Sequence, residues 1–426
     1  MKAFRHLLHT GLRLIPLRLK ERLNRLAGRP LFNLTFYLQF QPASLENTGI
    51  TIRRLPETPT PGTRRRIAFI TPHLGPGGAE KVFLEMAHSL NRDTDEIFLM
   101  ATHSTDSRWA AQWSLQVDHV YDLAARWTAE DLPSALYSLI LNWNMDTIVV
   151  QNTMVGYSVI PFCKKELPHL RVIDVTHAVG ERWDITSATA AVAKYIDTRI
   201  VISEAGKKHL TALGTGAHQL RLIRNGVDLE RFRPAPIRES GPFRILFAAR
   251  LDPVKRPVLL AAIARALSGM RPALDFRFIV AGNGPEEPAL RKRIRAYGVE
   301  HLFELRGHVE DMAPLFLESD ILLVTSSNEG IPLAIVEAFA TARPVVASRA
   351  GAIEEAVDEN TGRLIERDGD EAAAFARALA GLLDDPGLRR RLGAEARSRA
   401  ESLYNRHHAL QLYKEVLAAP LNASAR

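Results

Sequence analysis

The sequence predicts an α/β protein of two domains with terminal extensions, and three features carry that expectation. Short apolar runs of strand length alternate with stretches of helical periodicity through most of the chain. Several of the runs end in turns rich in Gly and Pro, as at Gly75-Pro76-Gly77-Gly78 and Gly282-Asn283-Gly284-Pro285. The length of 426 residues also exceeds one domain at roughly 100 to 200 residues per domain.

Charge and cysteine content narrow the class. The formal net charge is +7, but acids and bases alternate over most of the chain and the excess gathers near the amino terminus. A nucleic-acid binder is not expected, because no aromatic platform or basic recognition helix stands outside that arm. Cys163 is the single cysteine, so neither an intramolecular disulfide nor a multi-cysteine zinc site can form, which fits a reducing cytosol. No apolar run approaches the ~18 to 20 residues of a membrane span. Residues 1–20 are interrupted by Arg5, Arg13 and Arg18 and carry no small-residue cleavage site, unlike a signal peptide.

Taken in order, residues 4–26 alternate Leu and Ile with Arg and Lys around Pro16. Such a basic amphipathic segment can lie in the headgroup layer of an anionic membrane, or dock on its own globular domain. Residues 41–65, with Pro42, Pro56, Pro59, Pro61 and Gly62, read as a linker. Arg66-Ile67-Ala68-Phe69-Ile70-Thr71 is the first strand, and a helix follows the glycine turn over about 81–90. That turn is not a P-loop, since no Gly-Lys-Ser/Thr closes it, and Glu80 stands where a dinucleotide fingerprint needs glycine. Further strands near 96–101, 117–121, 146–151, 171–175 and 198–202 alternate with helices, so the first domain is expected to be doubly wound. His177 follows Asp174-Val175-Thr176 at the edge where such sheets bind ligands. Asn225-Gly226-Val227-Asp228 ends the domain, and Pro234 and Pro236 begin the crossing.

The second domain opens with the strand Phe243-Arg244-Ile245-Leu246-Phe247-Ala248-Ala249, after which Arg250 and Lys255 share one loop. A forked guanidinium and an ammonium together suit a diphosphate. Strands over 276–280 and 303–305 follow, and then the apolar run 320–325 leads into Ser326-Ser327-Asn328-Glu329-Gly330-Ile331-Pro332-Leu333 and a helix. Pro332 suits the first helical position. Leu333, Val336 and Ala340 give that helix an apolar stripe, and Glu337 falls off it. The first-turn N–H groups of Gly330, Ile331, Leu333 and Ala334 are expected to point at a polar ligand. If residues 329–337 were all helical, the two glutamates would lie roughly 12 Å apart at ~1.5 Å rise per residue. That exceeds the about 5 to 9.5 Å of a glycosidase pair and favours separate hydroxyls of one long ligand. The alternative is a solvated helix carrying two surface glutamates. Strands over 344–348 and 362–365 complete the sheet, and the chain from Asp370 onward reads as helical, with 404–417 returning towards the first domain. Asp93-Thr94-Asp95 and Asp368-Gly369-Asp370 are expected in exposed loops rather than in a metal site.

Together, Gly77-Gly78-x-Glu80, His177, Asn225-Gly226-Val227-Asp228, Arg250-x4-Lys255, Gly282-x-Gly284-Pro285 and Glu329-x7-Glu337 resemble, in order and spacing, a retaining GT-B-fold glycosyltransferase of glycosyltransferase family 4. The resemblance covers about residues 66–417. It implies two Rossmann-like domains across a cleft: residues 1–65 as arm and linker, 66–236 as acceptor-side domain, 237–401 as nucleotide-sugar domain, and 402–426 as a returning helix. It further implies that Arg250 and Lys255 grip the diphosphate and Glu337 the ribose. Glu329, with the backbone of Gly330, Ile331, Pro332 and Leu333, would hold the transferred sugar. His177 would lie near the anomeric carbon, and Gly77, Gly78 and Glu80 would face the acceptor. No metal and no cofactor beyond the nucleoside diphosphate sugar is expected, and the acceptor is expected to be a glycan or lipid-linked molecule, with residues 1–30 at an anionic inner membrane surface. The alternatives are a nucleotide-sugar epimerase or phosphorylase of the same fold, or a non-catalytic nucleotide-sugar binding protein. Ala249, Arg256, Ala342, Ala350 and Ile353 depart from the family's glycines and proline, while every charged position of the donor motif is present.

Overall fold

The computed structural model describes residues 64–75, 77–103, 109–178 and 189–419, so the amphipathic arm and its expected membrane contact lie outside the described residues. The first sheet comprises β1 (Arg65–Thr71), β2 (Asp95–Ala101), β3 (His119–Asp122), β4 (Thr147–Gln151), β5 (Arg171–Thr176), β6 (Thr198–Val201) and β7 (Leu220–Leu222). Its order is β3-β2-β1-β4-β5-β6-β7, and every pairing is parallel. The second sheet comprises β8 (Phe243–Ala248), β9 (Phe276–Ala281), β10 (Phe303–Gly307), β11 (Ile321–Val324), β12 (Val345–Ser348) and β13 (Gly362–Ile365), again parallel, in the order β10-β9-β8-β11-β12-β13.

These strands form because their residues are covered on both faces. All four residues of β11 and all five of β4 are buried, which is why they read as continuous apolar runs without alternation. Helices pack on either side and leave the carboxyl ends of the strands for loops. In both sheets the strand order reverses once, between β1 and β4 and between β8 and β11. A crevice opens at such a reversal, because the loops from the two strands depart in opposite directions. The two crevices are therefore framed by the chain after Thr71 and Gln151 in the first domain, and after Ala248 and Val324 in the second.

The chain crosses back at its end. The helix Arg406–Ala418 places Ala409, Tyr413, Val416 and Leu417 in the core with Phe83 and Met86 of the first domain. Val227 N–H donates to Tyr404 O at 2.7 Å and Arg406 N–H to Val227 O at 3.1 Å, so the outgoing and returning strands of chain clasp each other. Gly226 is needed there, since a Cβ would fall 2.4 Å from Arg406 Cα. Among the described residues no helix is long and apolar enough to cross a membrane.

Candidate active site

On the second-domain side, β8 runs into Arg250 and then a 3-10 turn over Pro253–Lys255. This turn is stitched to the loop after β11: Thr325 Oγ1 donates to Lys255 O at 2.7 Å and Ser327 N–H to Val254 O at 2.8 Å. The glycine turn after β9 closes the other flank. Leu251 N–H donates to Asn283 O at 2.9 Å, and a Cβ on Gly282 would lie 1.9 Å from Ala249 O. Lys255 and Glu329 are brought into direct contact, ammonium on carboxylate. Arg250 is 60% exposed and pairs with Asp252 at 3.0 Å on its own loop. Arg256, in place of the family's glycine, adopts the left-handed conformation that glycine favours, with φ 50°. Its guanidinium donates to Thr325 O at 2.6 Å, to Ser348 Oγ at 3.0 Å and to both oxygens of Glu371 at 2.9 and 2.5 Å. That fork offsets the backbone cost and holds the Glu371 carboxyl below its ordinary range.

The helix after β11 spans Leu333–Ala340, and Pro332 is its N-cap with ψ 136°, not its first helical residue. The loop before it is drawn away from helical geometry: Glu329 O accepts from Ala352 N–H at 2.9 Å, and Gly330 lies so close to His177 that a Cβ would fall 2.0 Å from the His177 carbonyl oxygen. Gly330 and Ile331 therefore precede the helix. The N–H groups of Leu333 and Ala334 make no hydrogen bond among the described residues, while Ile335 N–H bonds Pro332 O at 3.0 Å. Nor is the helix solvated along its acidic side. Glu337 is 8% exposed and pairs with Lys81 of the first domain at 3.0 Å. The face off the apolar stripe is covered by the other domain rather than by water.

On the first-domain side, His177 Nε2 meets Gln151 Oε1 at 2.8 Å, and Gln151 Nε2 donates to Thr71 Oγ1 at 2.9 Å. His177 thus sits over the reversal between β1 and β4. Burial pushes its imidazole down to about 4. It is neutral at pH 7, and Gln151 as acceptor puts the proton on Nε2. A histidine depressed from 6.5 to about 4 contributes stability that is present above pH ~6.5 and is lost as pH falls towards ~4. His177→Asn is expected to flatten the pH dependence of unfolding within that window, and superimposable wild-type and variant profiles from denaturant titrations would contradict the assignment.

Gly78 packs 3.6 Å, by its would-be Cβ, from Leu333 Cδ1, so the glycine turn touches the helix Leu333–Ala340 of the second domain. Glu80 folds back over Gly77, whose Cβ would fall 2.0 Å from Glu80 Oε2 at the start of its own helix, Gly78–His88. Glu355 crosses the cleft elsewhere, accepting from Glu204 N–H at 2.8 Å and Ala205 N–H at 2.5 Å. Asp95 does not lie in an exposed loop: it begins β2, is 2% exposed and binds Arg65 at 2.6 Å. Asp370 caps the helix Glu371–Asp384 through Ala373 N–H at 3.1 Å.

Several residues escaped the sequence reading. Gln151 ends an apolar run and gave a polar signal there, and Asp174 is a lone charge inside a strand; both belong to the site's support. Lys81 and Glu355 had no sequence signal, because their partners lie in the other domain.

Residues 76–231 match the family described as Glycosyltransferase Family 4, and residues 242–385 the one described as Glycosyl transferases group 1, together more than two thirds of the chain. The chain is 30% identical over 282 residues to D-inositol 3-phosphate glycosyltransferase of Streptomyces scabiei, covering 61% of this chain and 60% of that protein. It is 29% identical over 279 residues to MMP alpha-(1->4)-mannosyltransferase of Mycolicibacterium hassiacum, covering 62% of this chain and 66% of that protein. Each match spans less than two thirds of the relative's length. The crystal structure of Anabaena Alr3699/HepE in complex with UDP-glucose superposes with a TM-score of 0.69 at 20% identity, over 83% of this chain and 99% of that one, a likeness of fold.

Proposed function

The chain belongs to glycosyltransferase family 4, the group 1 glycosyl transferases, and from that premise we propose that it moves a sugar from a nucleoside diphosphate sugar to an acceptor hydroxyl with retention of anomeric configuration. The observation that carries the reading is the meeting of two sheet reversals: the Lys255–Glu329 pair at one and the His177–Gln151 contact at the other, with Gly330 against His177. Arg250 and Lys255 hold the diphosphate, with Leu333 and Ala334 N–H groups beside it. They stabilise charge that develops as the bond to phosphate breaks. Carboxylates repel a diphosphate and accept from hydroxyls, so Glu337 takes the ribose, and Glu329, with the backbone of Gly330 to Leu333, the transferred sugar. A bound diphosphate shares Lys255 and so releases Glu329 for that second task. Neutral His177 lies on the anomeric side, and Gly77, Gly78 and Glu80 line the acceptor approach.

The acceptor is a glycan or lipid-linked molecule of surface polysaccharide, lipopolysaccharide or glycolipid synthesis. The amphipathic sequence of residues 4–26 supports a membrane-borne one at the inner membrane face. The relatives' names, which specify transfer to inositol phosphate and transfer of mannose, support a hydroxyl acceptor.

The test is transfer from UDP-, GDP- and ADP-sugars with crude lipid acceptor, with the product's anomeric configuration read by NMR. Retention is expected. Since Arg250, Lys255 and helix N–H groups supply the positive charge, activity is expected to survive chelation. Inversion, or a chemical step strictly dependent on Mg²⁺ or Mn²⁺, would overturn the mechanism.

A further inference from the structure

Lys81 stands one turn into the helix Gly78–His88 and reaches across the cleft, its Nζ 3.0 Å from Glu337 Oε1 and 5.9 Å from the centre of the Phe232 ring. Glu337 is 8% exposed, too covered for an unpaired carboxylate to be well solvated. Around the pair stand Glu85 one turn further on, Arg406 at 3.5 Å from Glu85, and Asp228 at 3.3 Å from Arg406. Burial raises the Glu85 carboxyl despite Arg406 and Lys81. Arg406 is engaged by Glu85 and Asp228, which leaves Lys81 as the cation in contact with Glu337 among the described residues.

A carboxylate has two oxygens with about four acceptor directions. Lys81 occupies Oε1, and among the described residues no hydrogen bond falls on Oε2, which leaves it for hydroxyls. The same ammonium cancels a negative charge that would otherwise repel the donor's diphosphate. We propose that Lys81 is a positioning residue for the nucleoside half of the donor: it reaches Glu337 only when the domains are closed, and so links closure to nucleotide affinity through one ion pair. This rests on the donor reading of Glu337 given above. By linkage, whatever strengthens closure strengthens nucleotide binding, and the converse. Glu355, which bridges the domains at Glu204 and Ala205 and touches no proposed donor residue, supplies the control.

The experiment measures binding of UDP, GDP and ADP to the full chain by calorimetry, with thermal unfolding of each unliganded variant alongside. Lys81→Met is expected to weaken binding of the preferred nucleotide roughly tenfold, in the range of a partly desolvated charge pair. Lys81→Arg is expected to restore most of it. Combined with Glu337→Gln, Lys81→Met is expected to add little, since both remove the same contact. Glu355→Gln is expected to weaken binding less than Lys81→Met.

Tighter binding in Lys81→Met means that lysine competes with ribose and overturns the proposal. So does unchanged binding while Glu337→Gln binds weakly, or effects of the two variants that simply multiply. A loss in Glu355→Gln equal to that in Lys81→Met assigns the effect to closure alone and also overturns it. Failure of the wild-type chain to bind any of the three nucleotides overturns the donor reading and this proposal with it.

Discussion

Lys255→Ala is expected to cut turnover severely, with a loss in kcat on the order of 10² to 10³, the scale of removing one preorganised donor from a developing anion. It should also weaken nucleoside diphosphate binding, because in the proposed site the ammonium would act on the ground-state diphosphate as well. The variant leaves Glu329, whose side chain is 13% exposed, without its counter-ion, which adds to the damage. Arg250→Ala is expected to act in the same direction. Among the described residues its guanidinium is held only by Asp252 on the same loop, so little else there depends on it. Kinetics with saturating donor and calorimetry with the diphosphate check both variants. Unchanged nucleotide binding in both would reject the site.

Asp174→Ala is expected to cost about 3 to 5 kcal/mol of stability, the price of leaving a buried charge without its partner. Asp174 is fully buried, and Arg199 is 1% exposed at 3.8 Å. Tyr157 OH donates to Asp174 at 2.6 Å and Thr176 Oγ1 at 3.0 Å, while Arg199 holds Thr189 through its hydroxyl at 2.9 Å and its carbonyl at 2.8 Å. The network ties β5, whose next residue is His177, to the chain beyond it. A fall in melting temperature on the order of 10 °C would accompany the loss in a domain of this size. Asp174→Asn keeps hydrogen-bonding capacity and should fall between the two. Calorimetric melting of the three proteins decides it, and a shift of only a degree or two in Asp174→Ala would show that the pair contributes little.

The strands and the residues at their ends are legible in the sequence. Buried parallel strands must be apolar throughout, so β1, β4, β5, β8, β9 and β11 announced themselves as runs, and Arg250, Lys255, His177 and Glu329 could be placed just beyond them. Pro332 misled because a fixed φ near −65° serves an N-cap as well as a first helical residue, and ψ, which separates the two, is set by what the preceding loop touches. The pairing of Glu337 with Lys81 was not legible either. A period of 3.6 shows which face of a helix meets its own sheet and is silent about a second domain arriving on the opposite face.

The sequence by itself determined the two-domain α/β class and the positions at which charge stands at strand ends, because those follow from local periodicity and short-range spacing, while its motifs resembled a family as a set. Only the tertiary structure decided who pairs with whom: Lys255 with Glu329 across 74 positions, Lys81 with Glu337 across 256, and Glu355 with the helix start at Glu204 across 151. A lysine and a glutamate look the same in sequence whether solvated or paired. Their partners are selected when desolvation on domain contact makes an unpaired charge costly, and that cost exists only once the chain has folded.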